Sequence, residues 1–149
     1  MDTFVKPPEL RMIRRLGFSE MLRFYVRKAN MSTDALASKC GISPYLIRRM
    51  LVQGGNIGDN YIPFTLPIVL GIGLELAPSE IHFLLGKAGY ALSNPGGRHN
   101  DTLTAIIELP YPKTVEQCNS IMEHAGYKRL TFFDIHVPRE LNKYRRRTR

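Results

Sequence analysis

Long apolar runs are missing from this 149-residue chain. Nothing approaches the roughly 18 consecutive apolar residues of a membrane helix. Met1, Asp2, Thr3 and Phe4 do not form a charged leader followed by an apolar stretch, so the expectation is a cytoplasmic protein with no membrane partner. Cysteine is scarce too. Cys40 and Cys118 lie far apart with no Cys-x-x-Cys pair, which argues against zinc and redox chemistry and reads both as buried thiols. His82, His99, His124 and His136 are scattered without i, i+4 pairing, so no metal site is expected. The glycine-rich "GGNIGD" lacks the Lys-Ser/Thr of a phosphate loop. "GRHND" has no serine or cysteine nucleophile in a recognisable context. Neither catalysis nor a cofactor is expected.

Acidic residues are the other shortage: 13 Asp+Glu stand against 21 Lys+Arg, a net charge of +8. The excess is uneven. Residues 1–50 hold ten basic and four acidic side chains, residues 51–100 two and three, and residues 101–149 nine and six. Two basic zones therefore flank a nearly neutral middle, a balance that favours polyanionic partners, with plain solvation of a charged surface as the alternative. With 44% hydrophobic and 23% charged residues, the chain is ordinary globular material for one domain, or one domain with an appendage.

Periodicity then places the elements. Met21, Leu22, Tyr25, Val26 and Ala29 fall at helical spacing between Ser19 and Asn30, with Arg23, Arg27 and Lys28 on the other side. Ahead of them, Leu10, Ile13 and Leu16 alternate with Arg11, Arg14 and Arg15, which reads residues 1–16 as a basic arm or short helix. Ser32 is a suitable N-cap for a second helix over Thr33–Lys39, with Met31 and Leu36 as its hydrophobic staple. Gly41 closes that helix. Ser43 caps a third helix, Pro44–Leu51, that starts on proline, with Ile42 and Ile47 as a second staple. "VQGGNIGDNY" reads as a loop. A fourth helix over Pro63–Ile72 carries Pro67 inside it, where a kink or a shortening is expected. Pro78 opens a fifth that stops at Gly89. Residues 94–102 read as a linker, and residues 103–137 as a mainly helical extension with a helix over Thr114–Ala125, a short β-like run at Thr131–Phe133, and a basic tail over 138–149. "LLGKAGY" (84–90) and "IMEHAGY" (121–127) share a helix ending 37 residues apart. Duplication and ordinary helix capping both account for it.

The segment 33–50 carries the functional signal. Ala37 is small enough for two helices to cross closely, Gly41 supplies positive φ at a tight turn, Ile47 anchors the following helix, and Leu36 fills the space beneath the turn. These requirements define a helix-turn-helix, whose second helix is held out from the body to enter the DNA major groove. An αα-corner inside a helical bundle meets them too. Tyr45, Arg48 and Arg49, opposite Ile47, and the basic helix before them favour the groove reader.

"FSEMLRFYVRKANMSTDALASKCGISPYLIRRML", followed by a loop and "LGIGLELAPSEIHFLLGKAGY", resembles the XRE family, whose DNA-binding domain is the five-helix fold of lambda-type phage repressors. The resemblance spans residues 17 to about 92. It implies an all-α fold with a five-helix, lambda-repressor-like helix-turn-helix domain over 17–93. It also implies a transcriptional regulator that binds double-stranded DNA in sequence-specific fashion. The residues implied at base edges are Pro44, Tyr45, Arg48 and Arg49. Arginine reads guanine through O6 and N7, and tyrosine contacts a thymine methyl or a phosphate. Phosphate contacts fall to Arg23, Arg27, Ser32, Thr33, Ser43 and Asn60. Two departures stand out: the family carries glutamine where Thr33 stands, and Pro44 has no N–H to donate.

Members of that family dimerise on two-fold sites, a role that falls here to Leu103, Ile106, Ile107, Ile121, Met122, Phe132 and Phe133, unless these complete one monomer's core. The alternative function is a protein-interaction module, such as an antitoxin or adaptor, with DNA binding secondary. About 55 residues outside the resemblance are too few for an ordinary catalytic domain.

Overall fold

The computed structural model describes residues 17–52, 62–92 and 97–133. The arm at 1–16, most of the loop that includes Asn60, and the tail over 138–149 lie outside them. Seven helices and no strand make up the described residues: α1 Phe18–Ala29, α2 Thr33–Cys40, α3 Pro44–Val52, α4 Leu66–Gly73, α5 Pro78–Lys87, α6 Gly97–Glu108 and α7 Val115–His124.

The first three helices begin and end where local chemistry dictates. Asn30 (φ 54°) terminates α1 in the left-handed conformation. Ser32 Oγ accepts from the Ala35 N–H at 3.0 Å, satisfying an orphan donor at the start of α2. Gly41, at φ 70°, closes α2: its N–H reaches the Ser38 carbonyl at 3.3 Å and the Ile42 N–H reaches Ala37 O at 3.1 Å, the paired bonds of a Schellman ending. No atom lies within 4 Å of where a Cβ on Gly41 would sit, so backbone conformation and not space demands the glycine. Ser43 Oγ then accepts from the Tyr45 N–H at 3.0 Å and starts α3.

Helix α4 is buried on every side, an all-round apolar helix at the centre of the molecule. Of the kink or shortening expected from Pro67, the shortening is present: the helix begins at Leu66, three residues later than Pro63. The ring thus occupies the second helical position, where a missing N–H costs nothing. Two glycines let its neighbours close in. A Cβ on Gly71 would stand 2.6 Å from Ile81 Cγ1 on α5, and one on Gly73 would stand 2.4 Å from Cys40 Sγ on α2. Burial raises the Cys40 thiol to a pKa of about 12, so it is packed as an inert apolar group. Cys118 is buried likewise, its thiol also pushed up by burial.

The segment 94–102 is not a linker over its described part: α6 starts at Gly97. Nor do residues 97–133 form a separate unit. Leu103, Ile106, Ile107, Val115, Cys118, Met122 and Leu130 join one continuous core with the side chains of α1–α5. The dimer surface that the resemblance implied is thus largely spent inside the monomer; of its seven residues, Ile121 (39%) and Phe132 (58%) are well exposed and Phe133 is half-buried. The β-like run at 131–133 forms no strand, because Thr131 is held by Asn119 through its N–H and its hydroxyl. The Lys113 ammonium is buried at the end of α6 and donates to the carbonyls of Ile106, Ile107 and Leu109 at 3.0, 2.8 and 2.9 Å. It caps carbonyls at the negative end of the helix, the Ile106 oxygen also accepting from the Leu109 N–H at 3.2 Å, and burial draws its pKa down.

The hairpins α4–α5 and α6–α7 repeat one another. Helices α5 and α7 start at Pro78 and Val115, 37 positions apart, and each has ten residues. Each N-cap N–H is received by the side chain at the third helical position, Ala77 by Glu80 and Thr114 by Gln117. The Tyr90 N–H reaches Leu85 O at 3.1 Å and the Tyr127 N–H reaches Met122 O at 2.9 Å, around Gly89 and Gly126. Buried Leu66, Val69, Leu70, Ile81 and Leu85 match Leu103, Ile106, Ile107, Cys118 and Met122 in the same register. The likeness exceeds what capping alone requires and supports a duplicated unit.

Gly73→Ala is expected to destabilise the protein by about 1–3 kcal/mol, the usual range for overpacking. In urea denaturation, adding Cys40→Ala should cost less than the sum of the two single changes, because it empties the space the new methyl needs.

Candidate nucleic-acid interface

Helix α3 is seated by its inner face and by its C-terminus. Ile47 and Met50 are fully buried, worth roughly 1.5–3 kcal/mol each on transfer from water. Two side chains of α1 then take the last carbonyls of α3: Ser19 Oγ donates to Met50 O, and Arg23 Nη1 donates to Leu51 O. A cation at a helix C-terminus is favourable both as a hydrogen-bond donor and against the helix dipole. The Schellman turn at Gly41 fixes the other end. Described packing of α3 is against α1 and α2, whereas α6 and α7 pack on α2, α4 and α5.

The outer face is left open. Tyr45 is 59% exposed and Val52 71%, and Arg48 between them is exposed as well. Positions 45, 48 and 52 fall on one stripe of the helix. Arg49 is half-buried and turned back along the helix: its Nη1 donates to Tyr45 Oη at 3.0 Å, and its guanidinium carbon lies 5.8 Å from the centre of the Tyr45 ring. Tyrosine and arginine four residues apart thereby form one unit, with Pro44 half-buried at the helix start.

The expected phosphate contacts do not all gather here. Arg23 is withdrawn by its bond to Leu51 O and acts in holding α3, a partner 28 residues away that no local pattern announces. Arg27 is exposed in the last turn of α1. Ser32 and Ser43 are exposed, with their hydroxyl oxygens engaged as helix caps, and Thr33 is half-buried at the start of α2. Asn60 lies outside the described residues. Asp34 stands exposed in the first turn of α2. Among the described residues no group of three or more His, Cys, Asp and Glu side chains could hold a metal ion, and no helix is long and apolar enough to cross a membrane.

No protein-family model, curated protein or solved structure matches this chain.

Arg23→Ala is expected to lower stability by about 1–3 kcal/mol, the scale of a lost charge-assisted hydrogen bond. It should also speed amide exchange in the last turn of α3, while the salt dependence of any DNA binding stays as it was. A change of about one in the salt slope with stability untouched would make Arg23 a phosphate contact instead.

Proposed function

We propose that this chain is a sequence-specific regulator that binds double-stranded DNA through a lambda-repressor-like helix-turn-helix, reads the major groove with α3 and acts in the cytoplasm without catalysis. The observation that carries the proposal is the exposure of Tyr45, Arg48 and Val52 along one stripe of a short helix whose opposite side and C-terminus are anchored. A helix held out in this way fits the groove width of B-DNA, and arginine on its outer side supplies both charge and base-edge donors.

In this reading Pro44, Tyr45 and Arg48 meet base edges, and Arg49 acts from behind Tyr45. Arg27, Ser32, Thr33 and Ser43 flank the groove as phosphate contacts. The excess of basic residues adds attraction that is independent of sequence. A single module makes a small interface, so a homodimer on a two-fold site completes the proposal, with the apolar surface around Ile121 and Phe132 as the contact. A second reading, a protein-binding module such as an antitoxin or adaptor, is favoured by one feature. A groove of about 650 Å³ between the residues just before α4 and those following α7 is lined by Phe64, Tyr127, Phe132 and Phe133.

Selection of bound sequences from random duplex DNA is expected to enrich one motif with two-fold symmetry. Arg48→Ala should reduce discrimination between that motif and altered sites by about 1–3 kcal/mol. Equal losses on the motif and on random duplex would assign Arg48 to phosphate. Failure to enrich any motif, together with copurification of a small protein partner, would favour the second reading.

A further inference from the structure

We propose that the groove between the residues just before α4 and those following α7 is a binding site for a small aromatic carboxylate. The inference stands apart from the DNA-binding reading, since it uses no residue of α3.

Four rings, Phe64, Tyr127, Phe132 and Phe133, line a space of about 650 Å³. That volume falls within the ~300–1,000 Å³ of small-molecule sites. The His99 ring, 4.6 Å from that of Tyr127, extends the aromatic wall. Walls of this kind take a flat ring by offset or edge-to-face stacking.

The repeated hairpin explains why one polar group in the groove is unspent. Tyr90 and Tyr127 hold the same place in the two units. The Tyr90 ring packs on Phe64 at 5.0 Å, and its hydroxyl donates to Ile62 O, which lies ahead of α4. The residue 37 positions after Ile62 is His99. Helix α4 starts at Leu66, in register with Leu103, whereas α6 already starts at Gly97 and takes His99 into its first turn. A carbonyl there belongs to the helix's own i→i+4 ladder. The Tyr127 hydroxyl therefore lacks the acceptor that its counterpart uses, and it makes no hydrogen bond among the described residues.

Charge then selects the ligand. Among the described residues no acidic side chain lines the groove, while Lys128 and Arg129 do. Arg129 is taken by Glu116 at 2.7 Å and Glu123 at 3.5 Å. Lys128 is exposed, and its ammonium rests 4.8 Å from the centre of the Phe132 ring with no carboxylate partner among the described residues. An anion at one end of a flat ring meets the ammonium and the Tyr127 hydroxyl while the ring meets the aromatic wall. A neutral ring would strip water from Lys128 without replacing it. A cationic one would meet a like charge.

The test is amide chemical-shift mapping of the full chain titrated with four probes: 2-naphthoate, 2-naphthylmethanol, 2-naphthylmethylammonium and octanoate. Naphthoate is expected to bind most tightly of the four and to move the amides of Phe64, Tyr127, Lys128 and Phe132 saturably. Lys128→Gln should weaken naphthoate about 2- to 5-fold, the scale of an exposed ion pair, and leave naphthylmethanol unchanged. Tyr127→Phe should weaken naphthoate about 2- to 10-fold, the scale of one hydrogen bond. Phe132→Ala, at an exposed position, should weaken both naphthyl probes. Naphthylmethanol or the ammonium binding as tightly as naphthoate overturns the carboxylate, and octanoate binding as tightly overturns the aromatic ring. No saturable shifts with naphthoate, or shifts confined to other surfaces, overturn the site. No DNA is present, so each of these failures leaves the reading of α3 intact, and failure to find a DNA motif leaves this inference intact.

Discussion

The seating of one nine-residue helix is the constraint on which the rest depends. A helix this short has no stability of its own in water. Burial of Ile47 and Met50, the Schellman turn before it and the capping of its last carbonyls by Ser19 and Arg23 hold α3 in a single orientation. The anchors leave Tyr45, Arg48 and Val52 free. An interaction that used the outer face for packing would have stabilised the helix equally and left nothing to present.

The remainder of the molecule supports that seat at successive removes. Helix α1 meets α3 directly. The wholly buried α4 backs α2 through the close approach at Gly73 and Cys40 and backs α5 through Gly71 and Ile81. The second hairpin, α6–α7, repeats the first and closes the core from the far side. Polar groups there are satisfied: the buried Lys113 donates to three carbonyls, and the hydroxyl of the half-buried Tyr111 donates to Leu76 O at 2.8 Å. Burial keeps Tyr111 well above its ordinary pKa, so it stays a neutral donor.

How much of this was legible in the sequence depended on range. Ser32, Gly41 and the Ser43-Pro44 pair act on backbone within a few residues, and the bounds of α2 and α3 followed from them to within a residue. Pro67 was ambiguous because interior and second helical position differ only in where the helix begins, and that is set by the burial of Leu66. The polar opening of α6, "GRHND", has no apolar face to mark it as helix. Arg23 and Lys113 were unreadable as capping residues, since composition shows their charge and not the carbonyls they meet. The apolar residues between 103 and 122 suited a monomer core and a dimer surface equally well, and only the shared cluster with α1–α5 decides the matter.

The most direct test of the central claim is amide chemical-shift mapping of the full chain titrated with a cognate duplex. The account predicts the largest changes along α3 at Tyr45, Arg48 and Val52, with smaller ones at Arg27, Ser32 and Thr33. Changes confined to α7 and to the surface around Ile121 and Phe132, with α3 unmoved, would contradict it.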